Sequence, residues 1–100
     1  RYFSIKEIET LKNFNIRNLN LEVLKYWVLK EACIKWQEGN LSKDIIEWEI
    51  NNKKNQSIHS SLSIQLNTQL IRFNKWYIGI ASNENMGKFN PILCNELVNY

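Results

Sequence analysis

The sequence predicts an α+β domain in which a long helix packs on an antiparallel β-sheet. Three observations carry that expectation. Apolar residues recur every three or four positions before Gly39, they alternate after it, and the connections are short.

Ser4-Ile5-Lys6-Glu7 has the form of a capping box, with the Ser4 hydroxyl accepting from the Glu7 amide and the Glu7 carboxylate from the Ser4 amide. Ile5, Ile8 and Leu11 follow at helical spacing, which predicts a helix over residues 5–13. Asn13, Asn15, Asn18 and Asn20 mark a break, and Asn18 or Asn20 is placed to cap a second helix. That helix is expected over 20–38, ending near Gly39.

In IIEWEI (45–50), Ile46, Trp48 and Ile50 alternate with Ile45, Glu47 and Glu49, which is strand spacing. NNKKNQ (51–56) reads as a turn and SLSIQL (61–66) as a second strand. LIRFN (70–74) and WYIGIAS (76–82) read as two more strands, joined tightly at Asn74-Lys75. Residues 83–100, with Gly87 and Pro91, read as loop and extended tail. The expected core is Leu24, Val28, Ile46, Trp48, Ile50, Leu62, Ile64, Ile78 and Ile80.

The chain of 100 residues is read as a single domain, 1–100, with 84–100 as tail. Its 44% hydrophobic and 12% aromatic content reads as a globular chain rather than a disordered one. No apolar run approaches the roughly 18–20 residues needed to span a bilayer, so no membrane partner is expected. A net charge of +3 permits an acidic partner or phosphates without requiring either. Cys33 and Cys94 match no metal or redox spacing and read as free thiols in a reducing, cytoplasmic compartment. An N-terminal Arg1 in place of Met is expected of a piece of something longer.

The chemistry concentrates in YWVLKEACIKW (26–36), an apolar helix that carries an acid between two bases. At about 100° per residue, Leu24, Val28, Glu31 and Lys35 share a stripe, with Leu21 and Trp27 beside it. Leu21, Leu24, Trp27 and Val28 are expected to face the core, and Lys30 points about 100° away from Glu31. Two readings of Glu31 and Lys35 stand open. One is a surface i,i+4 salt bridge worth about 0.3–0.5 kcal/mol. The other is a metal carboxylate with a phosphate-binding lysine one turn on, since Mg²⁺ binds through one or two carboxylates plus substrate phosphates.

Trp27-Val28-Leu29-Lys30-Glu31-Ala32-Cys33-Ile34-Lys35 resembles the W-x-x-K-E-x-x-x-K signature of 4′-phosphopantetheinyl transferases of the surfactin-synthetase-activator type. RYFSIKE (1–7) resembles the phenylalanine-serine-glutamate segment that precedes that signature, at a similar interval. Leu41 with IIEWEI is similar to the family's helix-to-strand passage, and WYIGIAS to its late strand. The resemblance extends to about Asn83.

The resemblance implies transfer of the 4′-phosphopantetheine arm of coenzyme A to a serine of an acyl or peptidyl carrier protein, with Mg²⁺ and release of 3′,5′-ADP. It implies that Glu31 is one of three acidic metal ligands and leaves open its use in deprotonating the serine. It implies that Lys35 contacts phosphate, that Lys30 belongs to the coenzyme A site, and that Glu7 lies near it. Such enzymes are pseudo-dimers with the site between similar halves. This chain resembles the C-terminal half, with the N-terminal half of the same enzyme as partner. Lys12, Arg17 and Lys25 beside Phe14 and Leu19 then offer a basic and apolar surface for an acidic carrier helix.

The sequence also departs from the pattern. The family's other metal acids lie in a G-x-D-x-E strand, and this chain has no such motif; Asp44 is its only aspartate. A single Gly39 stands where the family often has two glycines, and Trp36 is bulkier than the usual residue. The competing reading is a non-catalytic binding or interaction module for RNA or a protein. The scattered lysines argue against nucleic acid. His59, with no acid near in sequence, reads as a surface residue, and Trp36, Trp48 and Trp76 as core packing.

Overall fold

The computed structural model describes residues 2–83 and 98–99. The elements are α1 (Ile5–Leu11), α2 (Ile16–Gln37), α3 (Leu41–Asp44), β1 (Trp48–Asn51), β2 (Gln56–His59), β3 (Ile64–Phe73), β4 (Trp76–Ser82) and β5 (Val98–Asn99). The strands form one antiparallel meander in the order β1-β2-β3-β4-β5. The α+β class is as expected. Of the tail expected over 84–100, only Val98–Asn99 lie within the described residues, paired with Tyr77 and Trp76.

The capping box at Ser4 is present in both directions. The second helix begins four residues earlier than its asparagines suggested. Asn15, not Asn18 or Asn20, is the cap, and its side chain accepts from the Asn18 amide at 3.0 Å. At the other end Glu38 takes the left-handed conformation, φ 57°, and the Gly39 amide bonds back to the Ile34 carbonyl. At 39 a Cβ would sit 2.7 Å from both Asp44 Oδ2 and Gln37 Oε1, so a larger residue there would have to shift those side-chain ends.

α2 lies across the sheet. Val28 and Leu29 are fully buried, and a Cβ on Gly79 of β4 would meet the Val28 carbonyl oxygen at 2.8 Å. Glycine therefore lets helix and strand approach. The core gathers Tyr26, Leu29, Ala32, Cys33 and Ile34 of α2 with Ile45, Trp48, Ile50, Leu66 and Ala81.

The buried face of α2 is rotated from the expected stripe. Lys30 is completely buried, while Leu21, Leu24 and Trp27 are only half-buried. Of the expected core, Val28, Trp48, Ile50, Ile78 and Ile80 are buried, Leu24, Ile46 and Ile64 are half-buried, and Leu62 is 54% exposed. Leu62 falls in the turn before β3, not in a strand.

The expected strand at 45–50 holds only from Trp48, residues 45–47 forming a turn, and the sheet differs from expectation in two further ways. Residues 61–66 and 70–74 belong not to two strands but to a turn and the single ten-residue β3. The β2 strand, QSIH, was hidden because its pattern is inverted: Ser57 and His59 point in and Ile58 points out. The inward polar groups are satisfied, with Ser57 Oγ 3.0 Å from Thr68 Oγ1 and His59 bonded through both ring nitrogens. The tight β3–β4 connection at Asn74-Lys75 is as expected, with Asn74 at φ 60°.

Candidate active site

The capping box of α1 prepares a second use of Glu7. Its Oε1 accepts from the Ser4 amide at 2.9 Å and from Lys30 Nζ at 2.8 Å, and its Oε2 accepts from the Ile50 amide at 2.9 Å. Glu7 is 2% exposed and Lys30 0% exposed, so the pair is fully withdrawn from water. Lys30 Nζ also donates to the Ile45 carbonyl at 2.8 Å and to the Trp48 carbonyl at 2.6 Å. The Phe3 ring centroid lies 5.4 Å from Nζ. Burial pushes the Lys30 ammonium below its usual range, and the Glu7 carboxylate opposes that. Three acceptors around Nζ match the three protons of the charged form.

One residue further round the helix the burial is only partial. Glu31 is half-buried and Lys35 exposed, and both lie on α2, one turn and about 6 Å of helix rise apart. Thus Lys30 and Glu31, neighbours in sequence, differ in burial. Glu31 and Lys35 share a face, and Lys30 does not lie on it.

The loop after Lys35 is held by a polar chain. Trp48 Nε1 donates to Gln37 Oε1 at 2.9 Å, and Gln37 Nε2 donates to Asp44 Oδ1 at 3.2 Å. The Asn40 amide donates to Asp44 Oδ2 at 2.8 Å, and His59 Nε2 lies 2.8 Å from Asp44 Oδ1. The Leu62 amide donates to His59 Nδ1, so that nitrogen carries no proton and Nε2 is the donor to Asp44. His59 is therefore not the surface residue that its isolation in sequence suggested; it is 2% exposed, with its acid fifteen residues back. Nothing in the spacing signalled this pair, because the turn at 45–47 and the β1–β2 hairpin bring the two together. The His59 ring and the Asn40 amide hold the Asp44 carboxyl below its usual range.

Cys33 is a buried free thiol on the inner face of α2, and burial pushes it up to about 12. It is not poised as a nucleophile. Cys94 lies outside the described residues.

Two open grooves flank α1 and the first half of α2. One, of about 630 Å³, is lined in part by Lys6, Thr10, Glu22, Tyr26, Glu49 and Lys53. The other, of about 440 Å³, is lined by Arg17, Asn20, Leu21, Leu24, Arg72, Lys75 and Tyr77. Neither is lined by Glu31 or Lys35. Among the described residues no group of three histidine, cysteine or acidic side chains could hold a metal ion. Among the described residues no helix is long and apolar enough to cross a membrane.

The family model described as the 4′-phosphopantetheinyl transferase superfamily matches residues 1–85. Searches of curated proteins and of solved structures give no match.

Proposed function

Because the chain belongs to the 4′-phosphopantetheinyl transferase superfamily, we propose that it acts as the C-terminal half of an enzyme of the surfactin-synthetase-activator type. The reaction moves the phosphopantetheine arm from coenzyme A to a serine of an acyl or peptidyl carrier protein in the cytoplasm. The serine oxygen forms a bond to the phosphorus that bears the pantetheine. The bridging P–O bond breaks, 3′,5′-ADP leaves with the electron pair, and the serine proton passes to a base.

The observation that carries this reading is the split on α2. Glu31 and Lys35 share a face that is not fully buried, while Val28, Leu29, Lys30, Ala32, Cys33 and Ile34 between and beside them are buried. In this role Lys35 holds a phosphate oxygen of coenzyme A in both the ground and the transition state. Glu31 would supply one carboxylate to a Mg²⁺ ion. The metal, when bound, neutralises the diphosphate.

A second reading, a non-catalytic interaction module on the same fold, is favoured by the finding that among the described residues no group of three histidine, cysteine or acidic side chains could hold a metal ion. Incubation of the full-length protein with coenzyme A, Mg²⁺ and apo carrier separates the two. The transferase adds the phosphopantetheine mass to the carrier serine. A carrier left unmodified, while coenzyme A binds, would select the interaction module.

A further inference from the structure

The signature lysine Lys30 has no proton to offer a substrate. An ammonium has three N–H bonds. Those of Lys30 are directed at the Glu7 carboxylate of α1, the Ile45 carbonyl just after α3, and the Trp48 carbonyl at the start of β1, at 2.8, 2.8 and 2.6 Å. Its exposure is 0%. Glu7 in turn takes the Ser4 and Ile50 amides, so one ion pair joins α1, α2 and β1. A helix pinned at one inward side chain is fixed in rotation and depth. The residues fixed most directly are its neighbours, and the next in the chain is Glu31.

We propose that Lys30 is a positioning residue: locked to Glu7 and two backbone carbonyls, it sets the rotation of α2 that holds Glu31 and Lys35 toward the substrate. The inference rests on the transferase reading above. It separates the two signature lysines, with Lys35 facing the substrate and Lys30 facing the protein. It also explains why the segment around Glu7 precedes the signature: the acid there is the counter-ion of the helix.

The test uses the full-length protein with coenzyme A and an apo carrier, at a temperature well below every variant's melting point. Lys30→Met is expected to lower kcat roughly 10–100-fold with KM for coenzyme A within about twofold, as for residues that orient others. Lys30→Arg is expected to fail in the same way, because a planar guanidinium does not fit three converging acceptors; a phosphate contact would tolerate it. Adding Glu7→Gln to Lys30→Met is expected to cost little more than Lys30→Met alone, since both act through one pair. A tenfold or larger rise in KM for coenzyme A in Lys30→Met, with kcat kept, would make Lys30 a substrate contact and overturn the inference. A folded Lys30→Met with wild-type kcat and KM would reduce the pair to bulk stability and overturn it as well. An inactive wild type would overturn the transferase reading itself, which an active wild type with either of those results would leave standing.

Discussion

At the scale of single residues, the decisive fact is that a lysine occupies the centre of a buried helix face. Removing one partner of a buried, hydrogen-bonded ion pair leaves the other charge uncompensated, which typically costs about 3–5 kcal/mol. Glu7→Gln and Lys30→Met should each lower stability by roughly that amount in urea or thermal melts. Asp44 makes a different prediction. Its carboxyl is held below the ordinary value of 3.8 by the His59 ring and the Asn40 amide. A carboxyl depressed in the folded state contributes stability that is complete above its unfolded value and lost as pH falls through the folded one. Melts below pH 3.8 should therefore show wild type losing its advantage over Asp44→Asn, an advantage kept at neutral pH. Neither Lys30 nor His59 was legible as a core residue. Charged and polar side chains read as surface until their partners are known, and those partners lie 23 and 15 positions away in the chain.

At the scale of elements, the helices could be read where their ends carry local chemistry. The Ser4 capping box acts within four residues and was fully legible. The start of α2 was not, because four asparagines compete for one cap and only packing chooses Asn15. β1, with Trp48 and Ile50 inward, could be read by alternation, and β4, buried over Tyr77–Ala81, by its apolar run, whereas β2 inverts the pattern and could not be read. Two substitutions test this level. Glu38 holds a left-handed conformation at the end of α2, so Glu38→Gly should raise stability by about 0.5–1 kcal/mol in thermal melts. Gly79→Ala places a methyl group 2.8 Å from the Val28 carbonyl oxygen and should cost about 1–3 kcal/mol, read by the same melts.

At the scale of the whole molecule, α2 crosses the sheet with its signature lysine fully buried and its signature acid half-buried. The candidate pair Glu31 and Lys35 was legible from the helical period and the motif. The division of labour between Lys30 and Lys35 was not, because it depends on a fold that brings Glu7, Ile45 and Trp48 around one ammonium. The basic and apolar corner expected to receive a carrier helix keeps Lys12, Phe14 and Arg17 exposed. Lys25 is drawn to Glu22 at 2.9 Å, and Arg17 shares a groove with Arg72 and Lys75. Arg17→Glu should accordingly raise KM for an acidic carrier and leave KM for coenzyme A unchanged in steady-state assays.

The central claim is that Glu31 belongs to a catalytic face and not to a surface salt bridge. Its direct measurement is Mg²⁺-dependent transfer of the arm by wild type and Glu31→Gln of the full-length protein, side by side, with thermal melts of both. The amide keeps the shape of the side chain and removes its charge. The account predicts a fall in kcat of roughly 10²–10⁴-fold with the melting point nearly unchanged. Equal rates, with or without a stability loss below about 1 kcal/mol, would place Glu31 in a surface pair and contradict it.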